Sequence, residues 1–293
     1  MTVISLLSIE LFLRTYFGFC DAVLMKADSN YEYIALPNQD RFRFRNHIHY
    51  NSFSMRSNEV DTNALIILGF GDSVINGGVQ TDQDSLATTI ISDSLSKLHN
   101  RKVQVLNISA GSWGPDNCFS YLKKHGNFNS KSIILFVSSH DAYDNMTFQP
   151  IIDVNESFPS KQYTLALWEI SDRYIIPKVK NLFFHESKEE DVLGISKKEE
   201  KSSFNSGFAS FLSYSKENQT SLTIYLHADK NELKEGTYNQ QGKEILELAV
   251  KNRINLITDL NNGLEHSDFR DDIHINTKGQ RKLAHLVLSK WEF

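Results

Sequence analysis

Five short apolar segments limit the fold of this chain more than any other feature. They are residues 64–69, 102–108, 132–137, 221–226 and 255–259. Helical patterns alternate with them, over residues 83–99, 116–125 and 240–252 and from Asn276 onward. Short buried strands that alternate with helices are typical of a parallel sheet with helices on both faces. The sequence therefore predicts an α/β protein with three layers, α/β/α, around a central parallel sheet.

Composition narrows the class of protein. The chain has 293 residues, of which 40% are hydrophobic and 23% charged, as in a globular protein with a substantial core. Its net charge of −5 gives no basic field that would attract nucleic acid, so we expect no nucleic-acid partner. Two cysteines, Cys20 and Cys118, are too few for a disulfide framework. They form either one disulfide bridge or two free thiols, and the sequence does not decide between these alternatives. The sequence has no zinc spacing and no internal repeat, and we predict no cofactor.

A serine stands directly after the first predicted strand. The apolar run from Ala64 ends in Gly71-Asp72-Ser73, which places a hydroxyl at the sheet edge where open α/β proteins bind ligands. A serine here also suits a helix N-terminus or a turn without any function. Near the other end of the chain, Asp271-x-x-His274 directly precedes the final helix. A serine nucleophile needs a base and a carboxylate that orients the base, and these two residues supply both.

In this order and position, the two motifs resemble those of the SGNH/GDSL hydrolase family, and the resemblance covers roughly residues 64–293. It implies a flavodoxin-like α/β/α fold and the hydrolysis of esters. Ser73 would be the nucleophile, His274 the base that accepts its proton, and Asp271 the carboxylate that holds the imidazole. A structural role for His274 is the alternative, since the chain has 10 histidines.

Two further sequence blocks of this family supply hydrogen-bond donors to the oxyanion, and both differ here. Within residues 107–115, the position of the family's glycine falls on Ser112, whose backbone N–H can serve as the donor. In residues 138–141, His140 takes the place of the family's asparagine, and an imidazole N–H can donate in its stead. We therefore expect Ser112 and His140 to form the oxyanion site. An altered reaction or a lost activity are the alternatives.

A metal site is a competing interpretation of the same region. Histidine and carboxylate side chains near both motifs can supply nitrogen and oxygen ligands: His140, Asp141, Asp271, Asp272 and His274. Nothing in their spacing requires a metal ion, and this interpretation leaves Ser73 without a role. We predict no metal.

Residues 1–63 precede the hydrolase-like domain, which we assign to residues 64–293. The apolar stretch Val3–Leu13 is too short to span a bilayer, contains Glu10 and follows no basic residue, so it is a poor signal peptide. It is either a helix packed on the domain or the remaining part of a membrane anchor. Many envelope proteins that resemble this family carry such a helix, with a pattern like Glu10 to Arg14 at its end. We expect membrane attachment and an extracytoplasmic location in the cell envelope, with the cytoplasm as the alternative.

Residues 41–50 alternate with period two, which indicates a half-buried strand. Its arginines are Arg41, Arg43 and Arg45. We favour an edge strand with these arginines in solvent, since edge strands often carry charges. The alternative is a row of arginines that faces an anionic glycan.

A long insertion, at about residues 146–216, separates the third and fourth strands of the sheet. It contains a helical pattern over 161–180 and then a polar stretch, 185–203, that we interpret as a solvated loop. The insertion leaves from the same sheet edge as Ser73. We therefore favour a lid over the site, with a surface excursion of no function as the alternative.

The function that these observations favour is that of a serine esterase. We expect it to act on O-acyl groups, O-acetyl above all, of a carbohydrate or cell-surface glycan. An O-acyltransferase would use the same acyl-enzyme and pass the acyl group to a sugar hydroxyl. A non-catalytic glycan-binding or assembly protein on the same fold is the third alternative, because fold alone does not decide function.

Overall fold

A five-stranded parallel sheet forms the centre of the protein. The structure is a computed structural model and describes residues 2–179 and 203–291. The strands in this part of the chain are β1 (Met25–Asp28), β2 (Glu32–Ala35), β3 (Gln39–Arg43), β4 (Asn46–Tyr50), β5 (Leu65–Gly71), β6 (Val103–Ser109), β7 (Ser132–Ser138), β8 (Ser221–His227) and β9 (Asn255–Thr258). The central sheet has the order β6-β5-β7-β8-β9, and all its neighbours pair in parallel. The predicted fold class is confirmed.

The strand order explains why the site lies where it does. When the five strands of this sheet are numbered by their order in the sequence, from β5 as the first to β9 as the fifth, they lie side by side in the order 2-1-3-4-5. This is the flavodoxin-like order, whose connections diverge between the first and third strands and leave a crevice at their carboxyl ends. The two strands here are β5 and β7, and Ser73 follows β5 by two residues.

Helices cover both faces of the sheet. In chain order the described helices are α1 (Thr2–Phe17), α2 (Ser73–Asn76), α3 (Ala87–His99), α4 (Pro115–His125), α5 (Ala166–Ile170), α6 (Ser206–Asn218), α7 (Lys230–Glu235), α8 (Gln240–Asn252) and α9 (Thr277–Lys290). Apolar side chains of α4, α6 and α8 pack on one face and those of α3 and α9 on the other. These two cores make the predicted three layers.

The N-terminal segment contains two β-hairpins, β1–β2 and β3–β4. The prediction of a single half-buried strand over residues 41–50 is therefore wrong. Phe44 and Arg45 both have positive φ, 48° and 66°, and turn the chain back between β3 and β4. Such two-residue turns favour Gly, Asn or Asp, so neither residue signals this one.

The arginines of that hairpin do not share one environment. Arg43 is 2% exposed and forms an ion pair with Glu169, Nη2 to Oε1 2.5 Å. Arg41 pairs with Asp21, and Arg45 lies exposed over the ring of Tyr16. The expectation that these arginines lie in solvent holds only for Arg45.

Helix α1 combines one anchored end with exposed apolar side chains. Leu13 packs on Phe19 and Ala166, whereas Val3, Ile4 and Leu7 are exposed, as are five further large apolar side chains of the helix: Leu6, Ile9, Leu11, Phe12 and Tyr16. None of the helices that the structure describes combines the length and apolar character needed to cross a bilayer. Membrane attachment and envelope location stay predictions.

The insertion begins its helical part later than predicted. Helix α5 starts at Ala166, and a π-helical turn over Ser171–Ile175 follows it. Glu10 accepts the backbone N–H groups of Ala166 (2.8 Å) and Leu167 (2.9 Å), so α1 caps the start of α5. The predicted polar loop, 185–203, lies outside the described residues except for Ser203.

Candidate active site

Ser73 begins α2 at the carboxyl end of β5. Asp72 caps this short helix, because its carboxylate accepts the backbone N–H of Val74 at 2.8 Å. His274 Nε2 lies 2.9 Å from Ser73 Oγ, and His274 Nδ1 lies 2.8 Å from Asp271 Oδ2. The structure thus brings the serine, the histidine and the aspartate of the two sequence motifs into one hydrogen-bonded series.

The loop before α9 fixes the relative positions of Asp271 and His274. Asp271 Oδ1 accepts the backbone N–H groups of Ile273 (3.1 Å) and His274 (2.7 Å). Burial raises the pKa of Asp271, but the N–H and imidazole of His274 outweigh burial, and the net pKa is lowered. A carboxylate that stays ionised at neutral pH favours the tautomer with a proton on His274 Nδ1. In this tautomer, His274 Nε2 accepts a hydrogen bond from the hydroxyl group of Ser73.

The two predicted oxyanion donors lie nearby, but neither lines the cavity that contains Ser73. Ser112 has φ 58°, in the left-handed region, and its buried Oγ has no hydrogen-bond partner within the part of the chain that the structure describes. The side chain of His140 is 39% exposed, with Nε2 3.9 Å from Asp72 Oδ2 and 3.7 Å from Asp141 Oδ1. Their roles as oxyanion donors stay predictions.

The residues considered as metal ligands separate into two groups. His274 and Asp271 bond to each other beside Ser73, whereas His140 and Asp141 lie with Asp72, their ligand atoms all within 4.8 Å of one another. Burial and the charge of Asp141 raise the pKa of Asp72 to about 6, and His140 opposes this shift. Sequence reasoning left Asp72 out of this group, although it belongs to the Gly71-Asp72-Ser73 motif.

A cavity of about 450 Å³ opens beside Ser73. Its floor comes from the sheet edge and the final loop, through Ser73, Asn76, residues 109–111 and residues 270, 271 and 274. Its walls come from the N-terminal segment and from the insertion: Ala22, Val23, Met25, Ala35, Arg43, Phe44, Tyr50, Asn155, Ser157, Phe158, Pro159, Arg173 and Tyr174. The insertion therefore borders the site, as the lid interpretation requires. Its closure stays a prediction.

Arg56 and Asn76 support the floor of this cavity, and no motif or spacing predicts either role. Asn76 Nδ2 donates to the carbonyl and hydroxyl oxygens of Ser109, both at 3.1 Å. Arg56 is 1% exposed and donates to three backbone carbonyls, those of Asn76 (2.5 Å), Gly78 and Thr81 (2.5 Å). Together they fix the segment that follows Ser73.

A buried His227–Asp259 pair holds the final loop from below. His227 Nδ1 lies 2.5 Å from Asp259 Oδ2, and its Nε2 lies 2.9 Å from the carbonyl oxygen of Ile273. Burial lowers the pKa of His227, but Asp259 and the Ile273 carbonyl outweigh it and raise this pKa to about 9. Since both ring nitrogens face acceptors, His227 is an imidazolium at neutral pH. It ties β8 and β9 to the loop that carries Asp271 and His274.

The similarities to known proteins are to solved structures. No model of a known protein family and no curated protein matches the chain. It is similar to the solved structures of a lipase/acylhydrolase from Enterococcus faecalis (TM-score 0.45, 11% identity, 77% of this chain and 94% of that one) and a member of the lipolytic protein G-D-S-L family from Veillonella parvula (0.44, 11%, 78% and 98%). It is also similar to a variant of an acetyl xylan esterase from Geobacillus stearothermophilus (0.42, 12%, 78% and 96%).

Proposed function

We propose that this protein is a serine ester hydrolase with Ser73 as nucleophile. The observation that carries the proposal is the hydrogen-bonded series from Ser73 through His274 to Asp271, in the floor of a ligand-sized cavity. His274 Nε2 would take the hydroxyl proton as Ser73 Oγ attacks the acyl carbon, and would return it to the departing alcohol. Water activated by the same imidazole would then release the acid.

The substrate we propose is an O-acyl, above all O-acetyl, derivative of a carbohydrate. A cavity of about 450 Å³ lies within the range of small-molecule sites, and it has room for one or two sugar units beside an acetyl group. Aromatic side chains, which offer flat apolar faces to sugar rings, line it at Phe44, Tyr50, Phe158 and Tyr174. An acyltransferase would start from the same acyl-enzyme and differ only in the acceptor.

One observation favours a second candidate, a non-catalytic glycan-binding protein on the same fold. Neither Ser112 nor His140 lines the cavity, although the proposed reaction needs donors to the oxyanion. Losing one such donor costs about 3–4 kcal/mol of transition-state stabilisation, so a site without them would be a poor esterase. The two candidates therefore differ in whether Ser73 reacts.

Covalent labelling separates them. A fluorophosphonate probe should label the wild type at Ser73, located by mass spectrometry, and 4-nitrophenyl acetate should be turned over. Ser73→Ala should abolish both signals and keep the melting temperature, because losing the nucleophile removes several orders of magnitude in rate. Ser213→Ala, in an exposed position on α6, is the matched control and should retain both. Unlabelled wild type, or equal turnover by Ser73→Ala, would refute the esterase and favour the binding protein.

A further inference from the structure

The cavity beside Ser73 is rich in arginine. Arg43, Arg173 and Arg270 line it, whereas Asp271 is the one carboxylate among its described lining residues. The whole chain has a net charge of −5, so this concentration of guanidinium groups runs against the overall balance. Asp271 is already engaged with His274. The surplus of positive charge therefore faces whatever binds in the cavity.

The guanidinium of Arg270 uses only part of its hydrogen-bonding capacity. Its Nη1 donates to the carbonyl oxygen of Gly77 (3.2 Å) and to Gln80 Oε1 (3.4 Å). Its Nε is buried and has no hydrogen-bond partner among the described residues. Within residues 2–179 and 203–291, no carboxylate forms an ion pair with Arg270, and Nη2 has no acceptor. The Nε–Nη2 side of a guanidinium presents two parallel N–H groups, the geometry that a carboxylate accepts at both oxygens.

A second cation lies behind the same loop. Arg56 is buried and holds the carbonyls of residues 76, 78 and 81, and no carboxylate pairs with it in the described part of the chain. Burial lowers the pKa of Arg56, and the charge of Arg270 lowers it further. Asp82 and Asp271 attract Arg56 and Arg270 respectively, but among the described residues neither carboxylate forms an ion pair with its arginine. This shortfall points to an anion that arrives with the ligand, since buried charge without a direct partner is costly.

The far wall of the cavity adds to this surplus. Arg43 and Arg173 share a single carboxylate, that of Glu169, at 2.5 Å and 3.2 Å. Burial raises the pKa of Glu169, but Arg43, the backbone N–H of Cys20 and Arg173 outweigh it and lower the net pKa. One negative charge thus balances two positive ones. In contrast to Arg270, both arginines form an ion pair with a carboxylate of the protein, so Arg270 is the group left to contact the ligand.

We propose that the alcohol part of the ester carries a carboxylate, as in an acylated uronic acid, and that the guanidinium group of Arg270 binds this carboxylate. The proposal rests on the proposed esterase function and names its substrate class. It assigns Arg270 as a specificity-determining residue, placed by the loop that also carries Asp271 and His274. A neutral sugar ester would offer no carboxylate to the free N–H groups of Arg270.

Two substrates that differ only in this charge test the assignment. They are acetylated methyl glucuronoside and its neutral C6 amide, with release of acetate measured for each. The wild type should favour the acid over the amide in kcat/KM by about tenfold or more, through KM, because charge-assisted hydrogen bonds carry the difference. Added salt should reduce the preference. Arg270→Gln should lower the acid-to-amide ratio by about tenfold. Arg281→Gln, at an exposed position on α9, is the matched control and should keep the wild-type ratio.

Binding without turnover distinguishes this proposal from the esterase. Calorimetry on Ser73→Ala with unacetylated methyl glucuronoside and its amide measures the anion site alone. If the wild type hydrolyses no ester but Ser73→Ala prefers the acid, and Arg270→Gln removes this preference, the esterase is overturned and the anion site stands. Equal binding and equal turnover of acid and amide would overturn the anion site, as would a tenfold preference for a glucoside 6-phosphate over the glucuronoside. If Arg270→Gln fails to fold, Arg270→Lys keeps the charge without the two parallel donors, and an unchanged ratio there would also overturn it.

Discussion

The buried His227–Asp259 pair should make the stability of this protein fall between pH 7 and pH 10. His227 has its pKa raised to about 9 in the folded protein, mainly because Asp259 and the Ile273 carbonyl outweigh burial, whereas an unfolded histidine titrates near 6.5. A pKa raised on folding stabilises the protein fully below the unfolded value, and the contribution is lost as the pH rises through 9. Linkage gives a loss of about 2.5 kcal/mol in unfolding free energy between pH 7 and pH 10.

Urea unfolding of the wild type and of the double variant His227→Gln/Asp259→Asn, at intervals of one pH unit, measures this loss. Replacing both partners keeps a neutral hydrogen bond, whereas removing one would leave a buried charge at a cost of about 3–5 kcal/mol. All other titrating groups are common to both proteins, so the difference between the two curves isolates the pair. The wild type should lose about 2.5 kcal/mol more than the variant by pH 10. A constant difference over the whole range would refute the imidazolium assignment.

Two further predictions concern His140 and Glu169. His140→Ala should lower kcat about a hundredfold with little change in KM, and His140→Asn should recover much of this loss, since an amide restores a donor to the oxyanion. Kinetics and melting curves of the three proteins test this prediction. If both variants lose melting temperature equally while activity stays constant, His140 is a structural residue. Glu169→Gln should lower the unfolding free energy by about 3–5 kcal/mol, because Arg43 is then buried without its ion-pair partner. Urea unfolding measures the change, with Glu217→Gln, exposed on α6, as the control; similar stabilities of the two variants would contradict it.

The sheet could be predicted because parallel strands are buried on both faces and read as continuous apolar runs. Each of the five predicted strands agrees with the observed one to within two residues at either end. The contact between Ser73 and His274 was predictable for a related reason. Ser73 follows β5 and His274 precedes α9, and both lie at the same sheet edge. Local sequence was enough for these features.

The parts that sequence reasoning missed depend on pairs of residues far apart in the chain. Arg43 pairs with Glu169 across 126 positions, and His227 with Asp259 across 32. No periodicity in the sequence connects such partners. Sequence reasoning could therefore place Arg43 only in solvent or against a ligand, and it gave no role to His227. The hairpin turn at Phe44 and Arg45 was missed because positive φ at such residues has no compositional signal.

The cavity divides between a sheet edge that holds Ser73, His274 and Asp271 and walls that come from the N-terminal segment and the insertion. Two carboxylates join the walls to each other: Glu10 of α1 accepts the N–H groups at the start of α5, and Glu169 of α5 accepts the Cys20 N–H (2.6 Å) and pairs with Arg43. The N-terminal segment and the insertion thus hold one another in place. Ser73, His274 and Asp271 make their mutual hydrogen bonds without either wall. Changes at Glu10 or Glu169 should therefore alter KM far more than the reactivity of Ser73 toward a small fluorophosphonate, which needs only the sheet edge.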